Sequence, residues 1–284
     1  MSSLLIPALV ALFVWWFSTG LVLLLDGLPR WTYRWTIAGA TVVLAGSLWG
    51  LWVAGDMQTV AGAYLGFISG LLAWAFLEIT FLTGLITGPR KHPCPPGCQG
   101  RAHFRHGVEA ILYHEVAIML AAAAVVLVSW GKPNVFGAGA FLVLWVMRQS
   151  AKLNLFLGVR NLSEDFLPDH LRYLASFFQR RPMNLLFPFS VTGATLATAW
   201  LAQRALTATS AYEATGYGLL AALMALAVLE HWMLVLPLRS EALWSFALKA
   251  QGRSPAHRDG EIGPPDARAV HGRWSVRAAS ARAP

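Results

Sequence analysis

Seven predominantly apolar stretches run through the chain, at residues 4–25, 35–54, 60–86, 108–130, 135–158, 184–201 and 214–238. Each comes close to the roughly 20 residues that a helix needs to cross a bilayer core. No other feature restricts the fold as much. Lipid offers an open backbone no hydrogen-bond partner, so each stretch reads as an α-helix. The chain is expected to be an all-α integral membrane protein, with a seven-helix bundle over residues 1–248. Composition agrees: 56% of residues are apolar and 13% are charged, against about 45–50% and about 25% in a soluble domain. That excludes a water-soluble enzyme, a disordered chain and a disulfide-stapled secreted domain. The fifth stretch is interrupted in its second half by Arg148 and Lys152.

The net charge of +8 is a matter of orientation. Eighteen of the Lys and Arg residues fall in the loops after the first, third and fifth stretches and in the tail, whereas the opposite loops hold only Lys132 and Arg204. Positive charge is retained on the cytoplasmic side, so the N-terminus is expected outside and the C-terminus in the cytoplasm. An odd number of spans follows, and nucleic acid is not needed to explain the basic balance. Met1–Ser3 carries no positive charge and no small-residue cleavage site follows, so the first stretch reads as a retained span.

Outside the spans, residues 162–181 place Phe166, Leu167, Leu171, Leu174 and Phe178 at helical spacing, with Ser163 and Pro168 at the start and Pro182 beyond. This predicts an amphipathic helix on the cytoplasmic surface between spans five and six. Residues 249–284 are rich in Arg, Ala, Pro and Gly. They read as a disordered basic cytoplasmic tail, either a solvated orientation signal or a binder of anionic headgroups. Gly62, Gly66 and Gly70 form two overlapping GxxxG units on the third span, a face for close helix approach within the chain or between copies.

Ionisable groups inside a bilayer are costly, about 2.5–3.5 kcal/mol each on insertion scales. Here they are Glu78; Glu109, His114 and Glu115; Arg148 and Lys152; and Glu230 and His231. At a rise of about 1.5 Å per residue, all of these but Glu109 fall roughly 9–15 Å below the cytoplasmic ends of the third, fourth, fifth and seventh spans. Two readings of this layer stand. In one, the acids pair with Arg148 and Lys152 and lock the bundle. In the other, Glu78, His114, Glu115, Arg148, Lys152, Glu230 and His231 line a ligand site. Such a site would hold a divalent metal between Glu and His, or a chlorophyll-type ring whose magnesium is ligated by a neutral His. The His-Glu and Glu-His spacings do not match the Glu-x-x-His pattern of di-iron carboxylate bundles.

A second cluster lies in the loop after the third span: His92, Cys94, Cys98, His103 and His106. The expected cytoplasmic location argues against a disulfide. The spacing suits zinc, and it equally suits two inert cysteines in a Pro-bracketed turn.

Several separated stretches resemble, in order, one known family. They are residues 7–20 with Leu25-Asp-Gly-Leu-Pro-Arg30, residues 81–90, Cys94-Pro-Pro-Gly-Cys98, Ile111-Leu-Tyr-His-Glu115, Leu144-Trp-Val-Met-Arg148, residues 150–158, residues 181–188 and Leu229-Glu-His-Trp232. The family is PuhE, a photosynthetic-complex assembly protein of purple phototrophic bacteria, and the resemblance covers residues 7–244. It implies a multi-pass protein of the bacterial inner membrane, including the photosynthetic intracytoplasmic membrane. It further implies a role in assembling the reaction centre and core antenna and in balancing bacteriochlorophyll supply. Reaction-centre and core-antenna subunits, or enzymes of the bacteriochlorophyll pathway, would be the partners. The resemblance carries over no catalytic residue. The expected function is therefore a non-enzymatic membrane factor with bacteriochlorophyll or a precursor as the candidate ligand. The alternative is a metal-dependent membrane enzyme of the bacteriochlorophyll pathway built on the Glu/His layer.

Overall fold

The structure, a computed structural model, describes residues 2–162 and 164–236. Ser163 and the basic tail 249–284 lie outside the described residues. Among the described residues there are seven long α-helices: α1 (Ser2–Asp26), α2 (Tyr33–Gly55), α3 (Val60–Leu82), α4 (Gly100–Ser129), α5 (Phe136–Leu157), α6 (Leu186–Leu206) and α7 (Ala211–Val235). Short 3-10 segments follow α1 (Arg30–Thr32) and α5 (Glu164–Phe166 and Asp169–Phe177). Among the described residues five segments are long and apolar enough to cross a membrane: Leu4–Asp26, Arg30–Gly55, Val60–Leu82, Gly100–Ser129 and Ala211–Val235. The two helices beyond these, α5 and α6, carry their polarity for different reasons. Arg148, Gln149, Ser150, Lys152 and Asn154 crowd the second half of α5, while α6 is diluted by Ser, Thr, Gln203 and Arg204.

Local chemistry sets the helix ends. Thr59 caps α3, its hydroxyl accepting from the Gly62 N–H at 3.1 Å, and Ser210 caps α7 by accepting from the Glu213 N–H at 3.1 Å. The third apolar stretch is expected to run to residue 86, yet α3 stops at Leu82. Thr83 closes the last turn by donating its N–H to Ile79 at 3.0 Å, and Gly84, at φ +77°, turns the chain back. Conversely α4 begins at Gly100, eight residues before the predicted start of its span.

The core forms where α3 and α7 are clasped by α1, α5 and α6, around Phe67, Leu71, Phe136, Ala140, Leu219 and Leu223. Gly66 and Gly70 of α3 meet Gly137 of α5 backbone to backbone, and a Cβ on Gly70 would run into the Gly137 carbonyl. The GxxxG face is thus spent inside the chain. The outer faces are apolar: Leu120 and Leu127 on α4 are 68% and 74% exposed, and α6 presents Leu185, Phe189, Leu196 and Trp200. Trp31, Trp35 and Trp130 stand exposed near helix ends, where interfacial tryptophans collect. A surface of this kind belongs in lipid, consistent with an α-helical membrane protein.

Residues 162–181 depart from the predicted amphipathic α-helix. The described part forms 3-10 turns, and Leu171, Leu174 and Phe177 are buried. Their spacing of three is the 3-10 period, which lines them along one edge. That edge packs on Phe81 of α3 and Ala110 of α4, so it covers the ends of these helices. His170 ties the segment down, its Nε2 lying 2.9 Å from the Leu82 carbonyl.

Candidate functional site

The membrane-depth charges are organised by α5. Arg148 donates to Glu78 of α3 at 2.9 Å, and Lys152 donates to Glu115 of α4 at 2.7 Å. Gln149 donates to the other oxygen of the same Glu115 carboxylate. Ser150 lies 2.9 Å from His231 Nε2, whose ring places Nδ1 2.9 Å from the Ala227 carbonyl. Glu230, at the outer surface of α7, accepts from the Trp15 indole N–H of α1 at 2.8 Å. One turn further along, Asn154 is fully buried and accepts from Asn184 at 3.0 Å. Asn184 also donates to the Gly158 carbonyl at 2.9 Å and caps the start of α6 at Leu186. Trp15, Gln149, Ser150, Asn154 and Asn184 escape a search for charged residues. For Gln149, Ser150 and Asn154 the signal that could have found them is the density of polar residues in the second half of the fifth apolar stretch.

Six of the seven candidate residues of this layer are therefore engaged: Glu78, Arg148, Glu115, Lys152 and His231 through α5, and Glu230 through Trp15 of α1. His114 stands apart. It is 1% exposed, lies against Phe81 with ring centroids 4.4 Å apart, and neither ring nitrogen has a hydrogen-bond partner among the described residues. The turn after α3 presses on the same stretch of α4: the Thr87 carbonyl accepts the His114 backbone N–H at 2.9 Å, and a Cβ on Gly88 would strike the Glu109 carbonyl. Glu109 lies outside the layer, where it meets Arg105 at 3.4 Å and Arg90 at 3.6 Å.

The second cluster draws most of its predicted members together. His103 and His106 sit three residues apart on the first turns of α4, and the loop carrying Cys94 and Cys98 folds onto them. The Cys94 sulfur is 3.3 Å from His103 Nδ1 and 3.6 Å from His106 Nδ1, and the Cys98 sulfur is 3.3 Å from His106 Nδ1. Burial and then the adjacent Cys98 push the Cys94 thiol up to about 11, with Arg90 acting in the opposite sense. His92 is turned away, its Nδ1 3.3 Å from the Pro93 carbonyl.

A third feature has no counterpart in the sequence motifs. A cleft of about 240 Å³ is lined by Arg30, Tyr33, Thr83, Thr87, Lys91 and Tyr173. In sequence Arg30 and Lys91 register only as loop charges, because nothing in the spacing brings them together.

A Rhodobacter capsulatus protein named "Uncharacterized 30.4 kDa protein in puhA 5'region" is similar to this chain, with 38% identity over 245 residues covering 85% of the chain and 89% of the relative. No solved structure matches this chain. The family model described as protein of unknown function (DUF3623) matches residues 1–255, and the chain belongs to that family.

Proposed function

We propose that the chain is a PuhE-type membrane factor that supports assembly of the photosynthetic reaction centre and core antenna and balances bacteriochlorophyll supply to it, without being an enzyme. The observation that carries this reading is the similarity, over nearly the whole of both chains, to a protein named for its place 5′ of puhA. The geometry of the layer supports it from the chemical side. Acids engaged by Arg148, Lys152, Gln149 and Trp15 stabilise a bundle. His231 is occupied through both ring nitrogens, which leaves His114 as the position in the layer for a tetrapyrrole ligand. In this reading all seven helices span the inner membrane, with the N-terminus outside. The polar half of α5 is carried across because neighbouring helices satisfy it, and eighteen loop and tail positives lie on the cytoplasmic side.

The test is deletion of the gene in a purple phototroph that carries it, followed by near-infrared absorption of the membranes and bacteriochlorophyll per cell. The expected outcome is a changed ratio of assembled core complex to total bacteriochlorophyll, restored by the intact gene. An unchanged ratio would overturn the proposal. Absorption of the purified protein tests the ligand: a tetrapyrrole band lost in His114→Ala supports it, and no band from pigmented cells removes it.

A further inference from the structure

The turn that follows α3 is built to hold two sulfurs in place. Pro95 and Pro96 restrict the backbone, Cys98 closes a turn by donating its N–H to the Pro95 carbonyl at 3.1 Å, and Gly97 supplies φ +75°. The Cys94 end is fixed from outside, its N–H donating to Ser176 Oγ at 3.0 Å. Opposite, His103 and His106 project from one face of α4, as a spacing of three requires. The His103 ring is held between Phe156 and Phe177, with centroids 5.1 and 5.8 Å away.

Two sulfurs converge on one ring nitrogen, since both Cys94 and Cys98 lie within 3.6 Å of His106 Nδ1. A neutral imidazole offers one in-plane lone pair there, so two thiol hydrogen bonds to it cannot both form well. A metal ion between the three atoms satisfies all of them at once. Zn–S bonds of about 2.3 Å and Zn–N bonds of about 2.0–2.1 Å, placed tetrahedrally, put sulfur and nitrogen roughly 3.5 Å apart. The observed separations are 3.3, 3.6 and 3.3 Å, and the ligand atoms of Cys94, Cys98 and His106 all lie within 4.8 Å of one another.

We propose that Cys94, Cys98 and His106 bind one zinc ion, and that His103, whose Nδ1 lies 3.3 Å from the Cys94 sulfur but outside that mutually close trio, turns in as the fourth ligand. Two thiolates and two imidazoles select zinc over magnesium or calcium, which take oxygen ligands. With His103 completing the set there is no vacant position for substrate, and the ion is structural. It fastens the Cys94–Cys98 turn to the start of α4, beside the 3-10 segment that covers this end of the bundle. The inference is independent of the photosynthetic role.

The experiment uses the full-length chain purified in mild detergent without chelator, with metal measured by elemental analysis. The protein is then stripped and titrated with cobalt(II). The expected result is about one zinc per chain, and cobalt absorption showing thiolate charge transfer with intense tetrahedral d–d bands. Both are lost in the Cys94→Ser/Cys98→Ser double variant and retained in His92→Ala. The cobalt spectrum of the wild-type chain stands as its own test, independent of how the double variant folds. A folded wild-type chain that gives no cobalt–thiolate band overturns the site. A cobalt spectrum unchanged in His103→Ala removes His103 and with it the closed set.

Discussion

The charged layer around α5 and the Cys/His cluster at the start of α4 are both gatherings of polar side chains, and they differ in what satisfies them. In the layer every acid faces a donor from another helix: Glu78 faces Arg148, Glu115 faces Lys152 and Gln149, and Glu230 faces Trp15. In the cluster, Cys94, Cys98 and His106 face one another, two sulfurs sharing one nitrogen, and His103 meets the Cys94 sulfur. Opposite charges can complete each other from within the chain. Thiols and imidazoles that converge are completed by an ion from outside it. On the proposals above, the ion-paired part of the layer serves the stability of the fold, and the cluster serves a metal ion.

The largest expected effect comes from removing the scaffold on which the layer depends. Gly70→Leu drives a side chain into the Gly137 backbone, which no rotamer can relieve, so no monodisperse protein should be recovered on size-exclusion chromatography. Wild-type elution would show that α3 and α5 do not meet there. Next comes metal removal. Stripping zinc should lower stability by about 4 kcal/mol where free zinc had stood a thousandfold above its Kd, read as a fall in thermal midpoint that added zinc reverses. Glu115→Ala should cost about 3 kcal/mol by leaving Lys152 without its acid, yet leave zinc content at the wild-type value. A loss of zinc together with the pair would join the two regions that the comparison separates. His231→Ala removes the ring that meets Ser150 and the Ala227 carbonyl. It should cost about 1–2 kcal/mol in the same melting experiment. His92→Ala should change neither midpoint nor metal content.

The two regions were legible in sequence to different degrees. Residue spacing along α4 already aligns His103 with His106, and a four-residue spacing brings Cys94 and Cys98 into one turn, so local geometry identifies most of that cluster. His92 is close in sequence and is nevertheless excluded, because it turns toward the Pro93 carbonyl. In the layer, hydropathy placed the charges at similar depth but could not assign their partners. Depth along a helix follows from counting residues, whereas azimuth follows from packing. Glu109 illustrates this: by position it is an acid at the very start of the fourth span, and the loop folding back from α3 brings Arg90 to it.

By itself the sequence determined that the chain is helical and made for lipid, where its charges are concentrated, and that His103 and His106 share a helix face. These are properties of short segments and of a solvent that leaves the backbone no alternative. Only the tertiary structure decided that Gly66 and Gly70 face Gly137, that α5 distributes donors to three neighbouring helices, and that residues 164–177 cover a helix end in 3-10 turns. Each of these depends on which faces meet at the crossing of two helices. That choice is made by close packing among residues far apart in the chain.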